Sequence, residues 1–245
     1  MNLKDSDSVA RHNTYQKEYF DHGGRATLDP TGSVYLRRHV QQMMHFAGIR
    51  PGDRVLEVGC GLGRYTFILA ELGVHVEGLD LSPSLIEQLG EINAGRYDLP
   101  VHAYDLVDCP AEMFGKYDAV IGFFVLHHVY DLRSCFSAAS KLVRPGGRVA
   151  FLEPNPANPL YYLQISLTRG MAWTAEKGML KMTERHLVPA MLEAGFIDIA
   201  THRFGFFPPV VTNLPGAARV ESIVQRIAPL EPILPFQLFG GTRVQ

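Results

Sequence analysis

A chain of 245 residues, 47% hydrophobic and 20% charged, can bury one sizeable core with elaborations, and that balance excludes a disordered or collagen-like polymer. Its 23 basic residues against 25 acids give a net charge of -2, which leaves no overall basic field to hold a phosphate backbone, so no nucleic-acid partner is expected. Three separated cysteines, Cys60, Cys109 and Cys135, make neither a C-x-x-C pair nor an even disulfide set. With a polar N-terminus and no run of ~18 apolar residues, they predict a cytoplasmic protein without a membrane-spanning segment.

Residues 1–245 read as a single domain. Residues 1–50, with Tyr15, Tyr19, Phe20 and a helix over Val34 to Ala47, read as an N-terminal helical lid. From 51 to 153 short apolar runs alternate with helical patterns, the signature of parallel strands joined by crossover helices. The runs are Arg54 to Val58, Val74 to Leu79, Val101 to Ala103, Tyr117 to Phe123 and Arg148 to Leu152. Between them lie helical patterns at Tyr65 to Leu72, Ser84 to Ala94 and Leu132 to Val143, the second opened by Ser82 and Pro83 and the third closed by Pro145-Gly146-Gly147.

Prolines 154, 156 and 159 then forbid a single regular element up to about Met182, so residues 154–182 read as an insertion on the acceptor side. A helix from Thr183 to Gly195 and a strand near Ile197 to Arg203 follow. Residues 206–235 form a second apolar insertion with a helix over Ala217 to Ile227. A final strand spans Phe236 to Val244, with Gly240-Gly241 expected to interrupt it.

The strongest chemical signal is Val55-Leu56-Glu57-Val58-Gly59-Cys60-Gly61-Leu62-Gly63, a buried strand entering a glycine-rich turn that opens a helix. Side chains at Gly59 or Gly61 would stand between the main chain and a ligand, while the helix start supplies free N–H groups. A dinucleotide fingerprint would place its third glycine at position 64, which is Arg64; the extra glycine is Gly63. Asp80, 21 residues after Gly59, stands where an acid can hold two ribose hydroxyls or cap the next helix. Asp105 follows the third strand, placed to accept from an adenine amino group or to act as a turn aspartate.

Over Arg54 to Glu153 these stretches resemble the class I S-adenosylmethionine-dependent methyltransferases. The matching segments are Glu57 to Gly63, Gly78 to Pro83, Tyr104 to Leu106, Tyr117 to His128 and Leu142 to Arg148. The resemblance implies a doubly wound α/β fold with a mostly parallel seven-stranded sheet, S-adenosylmethionine as cofactor and S-adenosylhomocysteine as product. It also implies that Gly59, Cys60 and Gly61 line the methionine moiety, with Gly63 in the same cofactor-binding turn and Glu57 steadying the turn from behind. Asp80 would bind the ribose, Leu81 would cover the adenine, Asp105 and Leu106 would read its edge, and the backbone near Phe123 would meet the amino group.

Methyl transfer is an in-line displacement that needs a positioned acceptor and a dry site. Tyr15, Tyr19, Phe20, Phe123, Phe124, Tyr161, Tyr162 and Trp173 are candidates to enclose the sulfonium. For a hydroxyl acceptor, His127 and His128 are base candidates, with His186 and Glu153 as weaker ones. No group of His, Cys, Asp and Glu shows metal-ligand spacing, so no metal is expected. The apolar segments outside the core point to a small hydrophobic or amphipathic acceptor, as in small-molecule biosynthesis. Phe206 to Phe236 reads as pocket wall, with peripheral membrane contact or a homodimer interface as the other readings. An NAD-dependent oxidoreductase and a non-catalytic S-adenosylmethionine-binding protein are the rival assignments.

Overall fold

Val55, Leu56, Glu57 and Val58 are all buried, on both faces of the strand they form, so helices must cover the sheet from both sides. The computed structural model describes residues 3–22, 33–167, 172–207, 211, 214, 216–224 and 228–244. Its elements in chain order begin with α1 (Leu3–His22), α2 (Val34–Ala47), β1 (Arg54–Val58), α3 (Thr66–Glu71), β2 (His75–Asp80), α4 (Pro83–Asn93) and β3 (Val101–Ala103). There follow β4 (Tyr117–Phe123), α5 (Leu132–Leu142), β5 (Val143–Pro154), α6 (Pro159–Leu167), α7 (Trp173–Glu176), α8 (Glu184–Glu193), β6 (Phe196–Phe204) and β7 (Phe236–Arg243). A further helix, Ala217–Val224, lies between β6 and β7.

The seven strands run in the order β3-β2-β1-β4-β5-β7-β6. All neighbours are parallel except β7, which is antiparallel to both β5 and β6. One face packs on α5 and α8 through Phe136, Leu142 and Met191; the other packs on α2 and α3 through Val40, Met43 and Ile68. Strand order reverses between β1 and β4, and in open α/β sheets ligands collect at the carboxyl ends beside that reversal.

The doubly wound α/β architecture matches the expectation, and the differences lie at element ends. Val143 leaves α5 and begins β5, so Pro145-Gly146-Gly147 falls inside a long strand rather than closing the helix. Gly147 is needed there, because a Cβ would stand 2.8 Å from the Asp118 carbonyl oxygen of β4. Gly240-Gly241 does not interrupt β7, which pairs continuously with β5 from Arg148↔Thr242 to Pro154↔Phe236. A Cβ on Gly240 would meet the Phe46 ring at 2.6 Å, so the glycine lets α2 lie close on the strand.

Ser82 caps α4 as expected, its Oγ accepting the Leu85 N–H at 3.1 Å. Residues 154–182 are broken as the prolines require, into α6, α7 and a 3-10 turn at Lys177–Lys181. The helix expected over Ala217 to Ile227 is observed to Val224, and 225–227 lie outside the described residues. No helix among the described residues is long and apolar enough to cross a membrane.

Candidate functional site

The turn after β1 carries three glycines in the left-handed region, with φ of +72° at Gly59, +52° at Gly61 and +83° at Gly63. An L side chain is strained there, and at Gly59 a Cβ would also lie 2.6 Å from Val125 Cγ2. Around Gly61 a Cβ would meet nothing within 4 Å, so its main chain borders open space. The Cys60 side chain is buried toward Gly78, which leaves only its backbone for a ligand.

Asp80, at the end of β2, binds the turn. Its Oδ2 accepts the Gly61 N–H at 2.9 Å and its Oδ1 accepts the Ser82 N–H at 2.9 Å. Burial raises its carboxyl pKa and those N–H groups pull it back down, with the net shift upward. The Leu81 N–H also reaches this carboxylate, which still leaves it acceptor capacity toward a ribose hydroxyl. Glu57 is buried behind the same turn and accepts the Thr66 hydroxyl at 2.7 Å, tying β1 to the first residue of α3. Burial lifts its carboxyl to about 8, with the Thr66 bond lowering it and Asp80 raising it.

Asp105 follows β3 and accepts the Val107 N–H at 3.1 Å through Oδ1. Its Oδ2 accepts from Asn13 Nδ2 at 2.5 Å. Helix α1 therefore lies against the loops at the carboxyl ends of the strands. Its His12 Nε2 meets the His128 carbonyl at 2.7 Å, its Phe20 ring stands edge-on to His128 at 5.0 Å, and its Asp21 accepts from Ser82 Oγ. One helix thus touches the loops after β2, β3 and β4.

The loop after β4 holds a buried polar chain. Phe124, in the left-handed region at φ +56°, turns the backbone sharply out of the strand. Glu153, fully buried on β5, accepts the Val125 and Leu126 N–H groups at 2.9 and 2.7 Å through Oε1, and faces His127 Nδ1 at 2.5 Å through Oε2. On the far side, His127 Nε2 lies 3.3 Å from Glu176 Oε2 at the end of α7. Glu176 also accepts the hydroxyls of Tyr19 at 3.3 Å and Tyr161 at 3.0 Å.

Burial alone would depress the His127 imidazole, yet Glu153 and Glu176 outweigh it and hold the ring up at about 9. Gly178 makes this approach feasible: a Cβ there would stand 1.8 Å from the His127 carbonyl oxygen.

The glycine turn, Asp80, Leu81, Asp105 and Leu106 are gathered at one rim, and Val125 joins that rim to the His127 cluster. Phe123 is buried and stacks on Tyr65 at 4.1 Å, so only its backbone borders the rim. Phe124 belongs with Tyr65, His39 and Phe236 in an aromatic core. Tyr19, Phe20 and Tyr161 converge on His127, His128 and Glu176, and Tyr15 bonds Thr174 at 2.8 Å. His186 is exposed and bonded to Thr183, and is not part of the cluster.

Asn13 and Glu176 are additions that sequence reasoning missed. Glu176 is the sole acid from position 154 to 183, and that isolation was the available signal.

Residues 56–149 match a family model described as a methyltransferase domain. A curated ubiquinone biosynthesis O-methyltransferase of Xanthomonas axonopodis pv. citri (strain 306) is 37% identical over 130 residues, covering 52% of this chain and 54% of the relative. The chain thus spans about half the length of the curated relatives it matches. Among solved structures, geranyl diphosphate methyltransferase in complex with GPP and sinefungin aligns with a TM-score of 0.63 at 17% identity, over 96% of this chain and 100% of that one. Phosphoethanolamine N-methyltransferase 2 of Haemonchus contortus aligns with a TM-score of 0.61 at 16% identity, over 94% and 60%. These two likenesses are likenesses of fold.

Proposed function

We propose that this protein, whose residues 56–149 match a methyltransferase-domain model, moves a methyl group from S-adenosylmethionine to a hydroxyl of a small, hydrophobic or amphipathic acceptor. The observation that carries the reading is the meeting of Asp80, Asp105 and a side-chain-free turn at one rim of the sheet, under helix α1. Asp80 holds the ribose diol with the acceptor capacity that its backbone N–H partners leave free. Asp105 and Leu106 take the adenine edge, Leu81 lies on its face, and the Gly59 to Gly63 backbone takes the methionine end. The cofactor supplies an electrophilic methyl on a positively charged sulfur.

What remains for the protein is geometry and exclusion of water. An acceptor hydroxyl held in this site would form the O–C bond as the C–S bond breaks and the bonding pair returns to sulfur, its proton passing to the half-buried base candidate His128 and on to solvent, with S-adenosylhomocysteine as the other product. A hydroxyl acceptor is favoured by the curated relatives' printed activity and by the Tyr19, Tyr161 and Glu176 oxygens beside the loop after β4. The described residues of the apolar segments 154–182 and 206–235 wall the acceptor side, and the enzyme acts in the cytoplasm.

The test has two arms. S-adenosylmethionine raises the melting temperature and NAD does not, because a ligand stabilises the state that binds it. Cell extract incubated with enzyme and methyl-labelled cofactor then yields a compound heavier by one labelled methyl, its label resistant to mild base as an ether is. Stabilisation by NAD alone, or no labelled product, overturns the proposal.

A further inference from the structure

His127, His128 and Glu176 come from two segments far apart in the chain, yet one ligand atom from each lies within 4.8 Å of the others. His127 and Glu176 are buried and His128 is half-buried. Glu153 Oε2 lies 2.5 Å from His127 Nδ1 and accepts its N–H, which leaves the other ring nitrogen, Nε2, facing Glu176. A carboxylate that fixes the tautomer of a histidine from behind is the usual support of a metal-bound imidazole. Glu153 is itself fixed by two backbone N–H groups, so the ring has little freedom to turn.

We propose that these three side chains form a binding site for one first-row divalent cation, zinc foremost. Two imidazoles and one carboxylate suit zinc over magnesium or calcium, and three protein ligands leave a coordination position for an outside oxygen. The ion takes the place of the His127 Nε2 proton, which leaves to solvent. The Tyr19 and Tyr161 hydroxyls, which donate to Glu176, stand beside these ligands, and an acceptor oxygen bound to the ion there would lose its proton more readily. This last role rests on the methyltransferase reading; the cation site does not.

The test needs neither cofactor nor acceptor. Full-length protein stripped with a chelator is titrated with Co2+, read by visible absorption, and with Zn2+, read by equilibrium dialysis. One ion per chain and an intense cobalt band are expected. Glu176→Gln and His128→Gln keep the fold by circular dichroism and lose the band, while Glu153→Gln weakens binding roughly 10- to 100-fold. His186→Gln binds as the wild type does. Absence of the band, or binding unaltered in Glu176→Gln, overturns the site. Methyl transfer that persists in chelator-stripped protein while zinc still binds overturns only the ion's role, and the methyltransferase reading stands in every one of these outcomes.

Discussion

Asn13 Nδ2 on helix α1 donates to Asp105 Oδ2 at 2.5 Å, so the helix is fastened to the carboxylate proposed to read the adenine edge. Replacing Asn13 with aspartate sets two carboxylates against each other and lifts the helix. Cofactor affinity in Asn13→Asp should fall about tenfold, ~1.4 kcal/mol. Asn13→Ala, which removes one bond without repulsion, should lose less, and calorimetric titration with S-adenosylmethionine compares the two.

Asp80 accepts two backbone N–H groups before any ligand arrives. In Asp80→Asn an amide NH2 must face one of those donors, and the charge that a ribose diol would meet is gone. A loss of about 2–3 kcal/mol in cofactor binding is expected, of the order of a hydrogen bond to a charged group. Retained affinity in the same titration would remove Asp80 from the site.

Gly178 touches no ligand, which makes Gly178→Ala a clean probe of the segment bearing Glu176. The added methyl collides with the His127 carbonyl, so the turn must withdraw and carry Glu176 away from the imidazole. Stability should drop by about 1–3 kcal/mol, as in other overpacked sites. Methyl transfer should fall while cofactor affinity holds, a split read from turnover at saturating cofactor beside a binding titration.

Glu57 sets a pH dependence. Its carboxyl stays protonated in the folded chain up to about 8, whereas the ordinary value is 4.5. Across that interval the unfolded chain has released a proton that the folded chain keeps, so stability falls as pH rises. Glu57→Gln keeps an acceptor for Thr66 and removes this slope. Urea unfolding across the interval should show the variant gaining on wild type toward the alkaline end.

Residues 54 to 152 were legible because parallel strands buried on both faces write themselves as apolar runs, and each run was found within a few residues. Val143 was misplaced because it is equally suited to the end of a helix and the start of a strand; Arg148 to Leu152 is only the middle of what forms. The glycine turn and Asp80 were legible because their chemistry is local, within one strand-turn-helix unit and the strand beside it. The His127–Glu153–Glu176 cluster was not, since His127 and Glu176 stand 49 positions apart and meet only in the folded chain. Asn13 was equally invisible: nothing along α1 distinguishes the one amide that reaches Asp105.

Helix α1 touches the loops after three successive strands, which couples entry and exit at the two ends of the site. On the proposed reading a nucleoside between Asp80 and Asp105 would enter only while that helix stands away, and the same helix carries Tyr19 and Phe20, which meet Glu176 and His128. Turnover should therefore follow a compulsory sequence, with the adenosyl compound first to arrive and its demethylated remnant last to depart. Steady-state inhibition by that remnant would then be competitive against the methyl donor and non-competitive against the acceptor.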